Sequence, residues 1–305
     1  MADPLTPAAS IVRQGATAGP RAGGGPFPHK GMKRVDLHIH SHASDGQLPP
    51  AGVVRAALAG RLDVIALTDH DTVAGVREAL EAARGQPLTV IPGVELSTEH
   101  GLHEIHVLGY FVDPDSEALQ AHHARASDRR AGRMREMVRK LQEQGVGVEL
   151  EQVLKIAGPE AASLGRPHLA RALQAGGHTR SVSEAFELYL KDGGSAFVAT
   201  EFPSVREAID TIHAAGGLAV WAHPELEVFE REVRTFAGWG MNGIECFRPN
   251  TPPVEAMLFD RVARDMGLFR TGGSDWHGPH RGRLGDWAIR WDEVREMLES
   301  RGIAA

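Results

Sequence analysis

Three histidines and two aspartates are packed into VDLHIHSHASDG, residues 35–46, at the end of an alternating apolar stretch. On a strand alternate residues share a face, so His38 and His40 point the same way, with Asp36 on their side and Leu37 and Ile39 on the other. Two imidazoles presented together can ligate a transition metal, but an isolated H-x-H pair is also an ordinary structural feature. Other segments carry the same chemistry: Asp45 in SDG, His70 in TDHD, Glu95 in PGVE, His106 in HVLGY, His223 in WAHP, and Asp275 with His277 in GSDWH. Nine imidazole and carboxylate donors exceed what one ion accepts. Without thiolate the set suits Mn, Fe or Zn, and a carboxylate such as Glu95 can bridge neighbouring ions, so a cluster of two or three metals is expected. Ions spaced by about 4 Å activate water and hold both the entering and leaving oxygens of an in-line displacement, which makes phosphate mono- or diester hydrolysis the expected reaction class.

The fold must bring these donors together. From Lys33 onward strand and helix alternate. RVDLHIHS, DVIALTDHD, LTVIPGVELSTE, EIHVLGYFV, LAVWAHPE, NGIECFRP and LFRTGGSDWH have the pattern of strands; PPAGVVRAALAG, TVAGVREALEAARG, SVREAIDTIHAAGG, PPVEAMLFDRVARDMG and WDEVREMLESRG have that of helices. Seven strands in βα order favour a parallel barrel or wound sheet, in which the C-terminal strand ends share one mouth. EIHVLGYFV lacks an ordinary crossover helix. Residues 115–200 form instead a helical insertion, too long for a βα loop, expected to cap the strand ends. The division expected is therefore a leader over 1–31, barrel over 32–114, cap over 115–200 and barrel again over 201–305.

Composition bounds the alternatives. With 305 residues, 42% apolar and 24% charged, the chain can bury a sizeable core. No apolar run is long enough to cross a bilayer, and the first residues lack the apolar centre of a secretory signal. The single cysteine, Cys246, excludes an internal disulfide framework and fits a reducing cytoplasm. A net charge of −7 argues against non-specific adhesion to nucleic acid, so neither a membrane nor a stable DNA partner is expected, although a local basic patch could receive an anionic substrate. Residues 1–31 are rich in Ala, Gly and Pro without periodicity and have the composition of a disordered leader, with Met32 as an alternative start.

The succession DLHIHS…SDG, LTDHD, PGVE, HVLGY, AHP and GSDWH, from Val35 to His277, resembles the PHP (polymerase and histidinol phosphatase) family. That resemblance implies a distorted seven-stranded (β/α)7 barrel with a trinuclear centre of Mn2+, or of Fe or Zn. Carried onto this chain, it places His38, His40, Glu95 and Asp275 on one ion, Glu95, His106 and His223 on a second, and Asp45, His70 and His277 on a third. Glu95, Asp275 and His277 are then the expected catalytic residues. Within the family the similarity extends to stand-alone nucleotide phosphoesterases, the nucleoside 3′,5′-bisphosphate phosphatases and 5′→3′ exoribonucleases, through the helical insertion and its GRPHLARAL segment. This implies a nucleotide or short RNA as substrate. A histidinol-phosphatase-like enzyme, a hydrolase of C–N bonds and a metal-stabilised regulatory module that has lost turnover are the alternatives; the last would show eroded ligand positions, and none is eroded.

In GRPHLARAL, Gly165 breaks the chain and Pro167 suits the first helical turn, so Arg166 and His168 stand at a helix N-terminus, where N–H groups and the dipole favour an anion. Both are expected to hold a substrate phosphate, Arg166 through its planar fork; the alternative is a surface arginine and a histidine packed on Leu169 or Leu173. Asp69 and Asp71, flanking His70, are expected to orient ligands or cap a helix. The other histidines take structural roles: His42 and His103 stand outside the ligand pattern, His122 and His123 fall on a solvated helix face with Arg125, Arg129 and Arg130, and His213 packs within its helix. Cys246 belongs to the core.

Overall fold

The computed structural model describes residues 33–159 and 161–304; the expected leader and the choice between Met1 and Met32 lie outside the described residues. The described residues begin with β1 (Arg34–Ile39), α1 (Pro50–Ala59), β2 (Val64–Leu67), α2 (Val76–Ala83) and the long β3 (Thr89–His100), the three strands pairing in parallel. The chain continues through β4 (His103–Tyr110) into four helices, α3 (Glu117–Glu143), α4 (Leu150–Ala157), α5 (Arg166–Ala175) and α6 (Val182–Ala185), the last running into a π-helical turn at Phe186–Leu190. The chain returns through α7 (Val205–Ala214), β5 (Leu218–Trp221), α8 (Leu226–Gly238), β6 (Gly243–Phe247), α9 (Pro253–Asp265) and β7 (Phe269–Gly272), and closes with β8 (Ile289–Arg290) and α10 (Trp291–Ser300).

The architecture is α/β, with all eight strands in one sheet in the order β7-β6-β5-β4-β3-β2-β1-β8. Two features differ from the seven parallel strands expected. First, β4 pairs antiparallel with both β3 and β5. Only Gly101 and Leu102 separate the paired residues His100 and His103, enough for a hairpin and far too short for a parallel crossover. Gly101 supplies the left-handed turn, with φ of +63°. Because β4 runs backwards, His106 is presented from its first half and not from a C-terminal strand end. Second, β8 adds an eighth strand, two residues long, antiparallel to Arg34 and Val35; a segment so short has no periodicity to announce it.

The sheet curls so that its ends approach each other. Ile39 at the end of β1 bridges Trp276 just beyond β7, the His40 N–H donating to the Trp276 carbonyl at 2.9 Å and the Trp276 N–H to the His38 carbonyl at 3.3 Å. Outside, Ile39, Ile65, Leu67 and Val90 pack with Val53, Val54 and Ala57 of α1 and Ala79 of α2. On the other side Val94, Leu96, Trp221, Ile244 and the buried Cys246 pack with Ile209 and Ile212 of α7, Phe229 and Phe236 of α8 and Phe259 of α9. The inserted helices have an apolar core of their own, in which Met137, Val138 and Leu141 of α3 meet Leu169 and Leu173 of α5 and Leu190. Among the described residues no helix is long and apolar enough to cross a membrane.

The seam generates a stability prediction. A Cβ at Gly273 would lie 2.3 Å from the His38 Cβ and 2.4 Å from its backbone nitrogen. Gly273→Ala must therefore push β1 and β7 apart, at a cost of about 1–3 kcal/mol by overpacking. Denaturant unfolding should show that loss; unchanged stability would contradict so close an approach of the two strands.

Candidate metal centre

All nine donor residues meet at one mouth of the sheet, and Glu95 stands at its middle. Its side chain is 1% exposed. Oε2 lies 3.2 Å from Nε2 of His38, 3.2 Å from Nε2 of His40 and 3.2 Å from Nδ1 of His70. Oε1 lies 2.8 Å from Nδ1 of His106 and 2.9 Å from Nε2 of His223. One carboxylate thus faces two groups of imidazoles, one through each oxygen. Asp275 approaches from the closing side, its Oδ1 3.5 Å from His38, 3.3 Å from His40 and 3.6 Å from His277. Asp45 completes the set, 3.3 Å from Nε2 of His277 and 3.9 Å from both His40 and His70.

Within this assembly three groups have donor atoms within 4.8 Å of one another: His40, Asp45, His70 and His277; His38, His40 and Glu95; and His70, Glu95 and His106. They overlap the partition that the resemblance implies without reproducing it, since His40 and His70 each enter two groups, while Asp275 and His223 touch the assembly through the contacts given above. His42 and His103 enter none of the three.

The local backbone is bent to make this possible. His223 and Asp275 both have left-handed φ, 33° and 53°, a conformation that non-glycine residues adopt at a cost and that concentrates at functional sites. The electrostatics call for positive charge. Burial alone would raise the carboxyls of Glu95 and Asp275, yet the surrounding imidazoles hold both well below the usual carboxylate range. Burial alone would lower His40 and His106, but Asp275 and Glu95 carry His40 up to about 9, and Glu95 with Glu104 carries His106 up to about 10. Both ring nitrogens of His40 and Nδ1 of His70 are buried without a hydrogen-bond partner. Buried imidazole nitrogens facing carboxylate oxygens without a hydrogen bond between them are the arrangement a cation satisfies, so the residues present fit a metal cluster.

Further residues set the donors. Glu245, buried on β6, accepts from Nδ1 of His38 at 2.9 Å, which leaves Nε2 toward Glu95, and its other oxygen accepts the His223 N–H at 2.8 Å. Glu104 lies 3.1 Å from Nε2 of His106. Neither stands in a ligand motif: Glu245 sits in GIECF beside the buried Cys246, and Glu104 precedes His106 by two, the same-face spacing that relates His38 and His40. Asp69 accepts from the Ser41 N–H and hydroxyl at 2.7 and 2.6 Å and from the Ser44 hydroxyl at 2.7 Å, holding the loop that carries Asp45.

Asp71 ties barrel to cap, which corrects the solvated face expected for His122 and its neighbours. His122 is 3% exposed with Nε2 2.9 Å from Asp71 Oδ1, and Arg130 donates to Asp71 Oδ2 through Nε at 2.8 Å and Nη2 at 2.5 Å. His123 donates to the Asp71 carbonyl. That face of α3 is polar because it docks on a buried carboxylate at the mouth. His213, expected to be packed, is exposed and hydrogen-bonds Asn242.

Arg166 occupies the first position of α5, with one nitrogen 2.5 Å from Asp192 and another 3.7 Å from Glu104. It therefore reaches the edge of the cluster through the acid that touches His106. His168 is 2% exposed, its Nδ1 accepting the Gly165 N–H at 3.0 Å, and burial pushes it down to about 4. Arg171, from the same helix, donates to the Asp45 carbonyl at 3.0 Å.

Comparison with known proteins agrees with this chemistry. The PHP domain family matches residues 36–124. A 5′-3′ exoribonuclease of Haemophilus influenzae is 36% identical over 252 residues, covering 81% of this chain and 91% of that protein. A 3′,5′-nucleoside bisphosphate phosphatase of Chromobacterium violaceum is 34% identical over 257 residues, 82% of this chain and 90% of its own length. A crystal structure of a protein assigned as a metal-dependent phosphoesterase, from Bifidobacterium adolescentis, superposes with a TM-score of 0.80 at 31% identity, covering 88% of this chain and 96% of that one.

Two variants probe the arrangement. Glu95→Gln, which removes the charge shared by both groups of imidazoles, should lower the number of bound divalent ions per chain while leaving the circular dichroism of the fold intact; wild-type metal content would contradict it. Asp71 has a left-handed φ of 55°, which asparagine tolerates, so Asp71→Asn keeps the backbone but removes the charge that pairs with Arg130, and should destabilise the protein by about 3 kcal/mol. Denaturant unfolding with no shift of midpoint would show that Arg130 finds another partner.

Proposed function

This chain belongs to the PHP family of metal-dependent phosphoesterases, and from that premise we propose that it hydrolyses phosphate esters of nucleotides, namely 3′,5′-bisphosphonucleotides and the 5′ ends of short RNA. The observation that carries the proposal is the division of Glu95 between two groups of imidazoles, His38, His40 and His70 on one oxygen and His106 and His223 on the other. A shared carboxylate of this kind suits ions close enough to act on one phosphorus.

His38, His40, Asp45, His70, Glu95, His106, His223, Asp275 and His277 are the proposed ligands of three divalent ions, with Mn2+ as the working metal and Fe or Zn accepted by the same donors. When bound, such ions lower the pKa of coordinated water and neutralise phosphate oxygens. The chain's own contribution is orientation. Glu245 holds Nδ1 of His38 and Glu104 holds Nε2 of His106, so each ring turns its other nitrogen toward Glu95. Arg166 is the proposed contact to a substrate phosphate, exchanging the exposed Asp192 carboxylate for it, and the buried His168 braces the turn that carries Arg166. The names of the exoribonuclease and of the nucleoside bisphosphate phosphatase support nucleotides as substrates.

The reading is tested by phosphate release and product mass over nucleoside 3′,5′-bisphosphates, AMP, histidinol phosphate and 5′-phosphorylated RNA, each with Mn2+. Turnover of the bisphosphates or RNA, with little on histidinol phosphate, is expected; the reverse preference would overturn it. Arg166→Ala should lower kcat/KM for bisphosphates by about 10–100-fold, the range of a lost charge-assisted phosphate contact, with a smaller effect on p-nitrophenyl phosphate and none on metal content. Equal losses on both substrates would make Arg166 structural.

A further inference from the structure

Beside the cluster, with Asp275 between, lies a cavity of about 520 Å³ that none of the nine donors lines. Ser274 and Trp276, the two neighbours of Asp275, form part of its wall, together with Asn250, Arg281, Arg283 and Trp287. Trp276 is 4% exposed and its Nε1 donates to the Gly282 carbonyl at 2.9 Å, so that wall is fixed. Trp287 is half-buried. Arg281 spans the two spaces, its Nη1 donating to the Asp275 carbonyl at 3.3 Å and lying 3.6 Å from Asp275 Oδ2. Arg283 is steered by Asp286, which accepts from its Nε and Nη2 at 3.2 Å each, while the arginine side chain stays 77% exposed.

The half-buried indole of Trp287, two guanidinium planes and one side-chain amide, with the Asp286 carboxylate engaged by Arg283, line a volume that fits one nucleoside and its phosphate: bases stack on aromatic rings and arginines, and the charge tracks the backbone. We propose that this cavity is the subsite for the nucleoside on the 3′ side of the scissile phosphate, so that the chain acts on RNA of two or more nucleotides. The inference rests on the nucleotide phosphoesterase reading above. In such a diester the oxygen of water bonds to phosphorus, the bond from phosphorus to the 3′ oxygen of the terminal nucleotide breaks, and that oxygen leaves with a proton. The phosphate stays on the 5′ oxygen of the next nucleoside, which becomes a new 5′-phosphorylated end. A 3′,5′-bisphosphate offers the same phosphorus with nothing beyond it and leaves the cavity unused.

The two substrates therefore separate the subsite from the metal centre. Steady-state kinetics of the Mn2+-loaded enzyme should be compared on a nucleoside 3′,5′-bisphosphate and on a 5′-phosphorylated dinucleotide, for wild type, Trp287→Ala and the exposed-site variant Arg283→Ala, which keeps the test open if the tryptophan variant loses stability. Both variants should lower kcat/KM for the dinucleotide by about tenfold, the loss expected of one stacked base, mainly through KM, and leave the bisphosphate within about twofold. The Kd of a phosphorodithioate-linked dinucleotide, measured by calorimetry, should weaken by a similar factor. Turnover of the bisphosphate but not of the dinucleotide would overturn the subsite and the RNA half of that reading while leaving its bisphosphate half, and variants that change neither substrate or both equally would overturn the subsite alone. Failure of wild type on both substrates would overturn the nucleotide reading and the subsite with it.

Discussion

A single carboxylate, 1% exposed and in reach of five imidazoles, is the constraint on which the rest of the structure depends. An ionised carboxyl out of water costs several kcal/mol unless it is surrounded by compensating groups, and Glu95 obtains them from β1, β4 and the ends of β2 and β5. No two of those donors other than His38 and His40 lie close together in the chain. The sheet must therefore curl until its edges nearly touch. Gly273 against His38, and the left-handed backbone at His223 and Asp275, are local costs of that convergence. The same reasoning accounts for the reversed β4: a hairpin off β3 sets His106 opposite Ser97, two residues from Glu95, where a parallel strand would have needed a crossover.

Much of this was legible in the sequence, and the reasons for success and failure are physical. The strand pattern of RVDLHIHS sets His38 and His40 two apart, and both reach Glu95, although an irregularity between Asp36 and Ile39 sends Leu37 and Ile39, expected on one face, into different apolar clusters. The helical insertion was visible as length without strand signal. Strand direction was not, since periodicity carries no sense of orientation, and the two-residue link at Gly101 and Leu102 was the only clue to it. The eighth strand was too short to leave a pattern. His122 and Arg130 were misplaced because a charged helix face looks the same whether it meets solvent or a buried carboxylate; only the position of Asp71 across the interface distinguishes them.

That interface joins the cap to the chemistry. Asp71 follows His70 directly and is held by two side chains of α3, while its backbone N–H donates to the Glu95 carbonyl. The cap is thereby attached within one residue of a proposed metal ligand, and the loop before α5 adds contacts from Ala162 and Ser163 to the Ala43 carbonyl, in the loop that carries Asp45. Arg166 and Arg171 reach the mouth from this helix. The barrel supplies the donors, and the cap supplies the two arginines that stand beside them.

A Glu95 carboxylate shared by a cluster of ions requires several ions per chain, a number that metal analysis reads directly. Protein stripped with chelator and titrated with Mn2+, with bound ions counted by elemental analysis after removal of free metal, should reach a plateau of three ions per chain. A plateau at one ion or none would contradict the account.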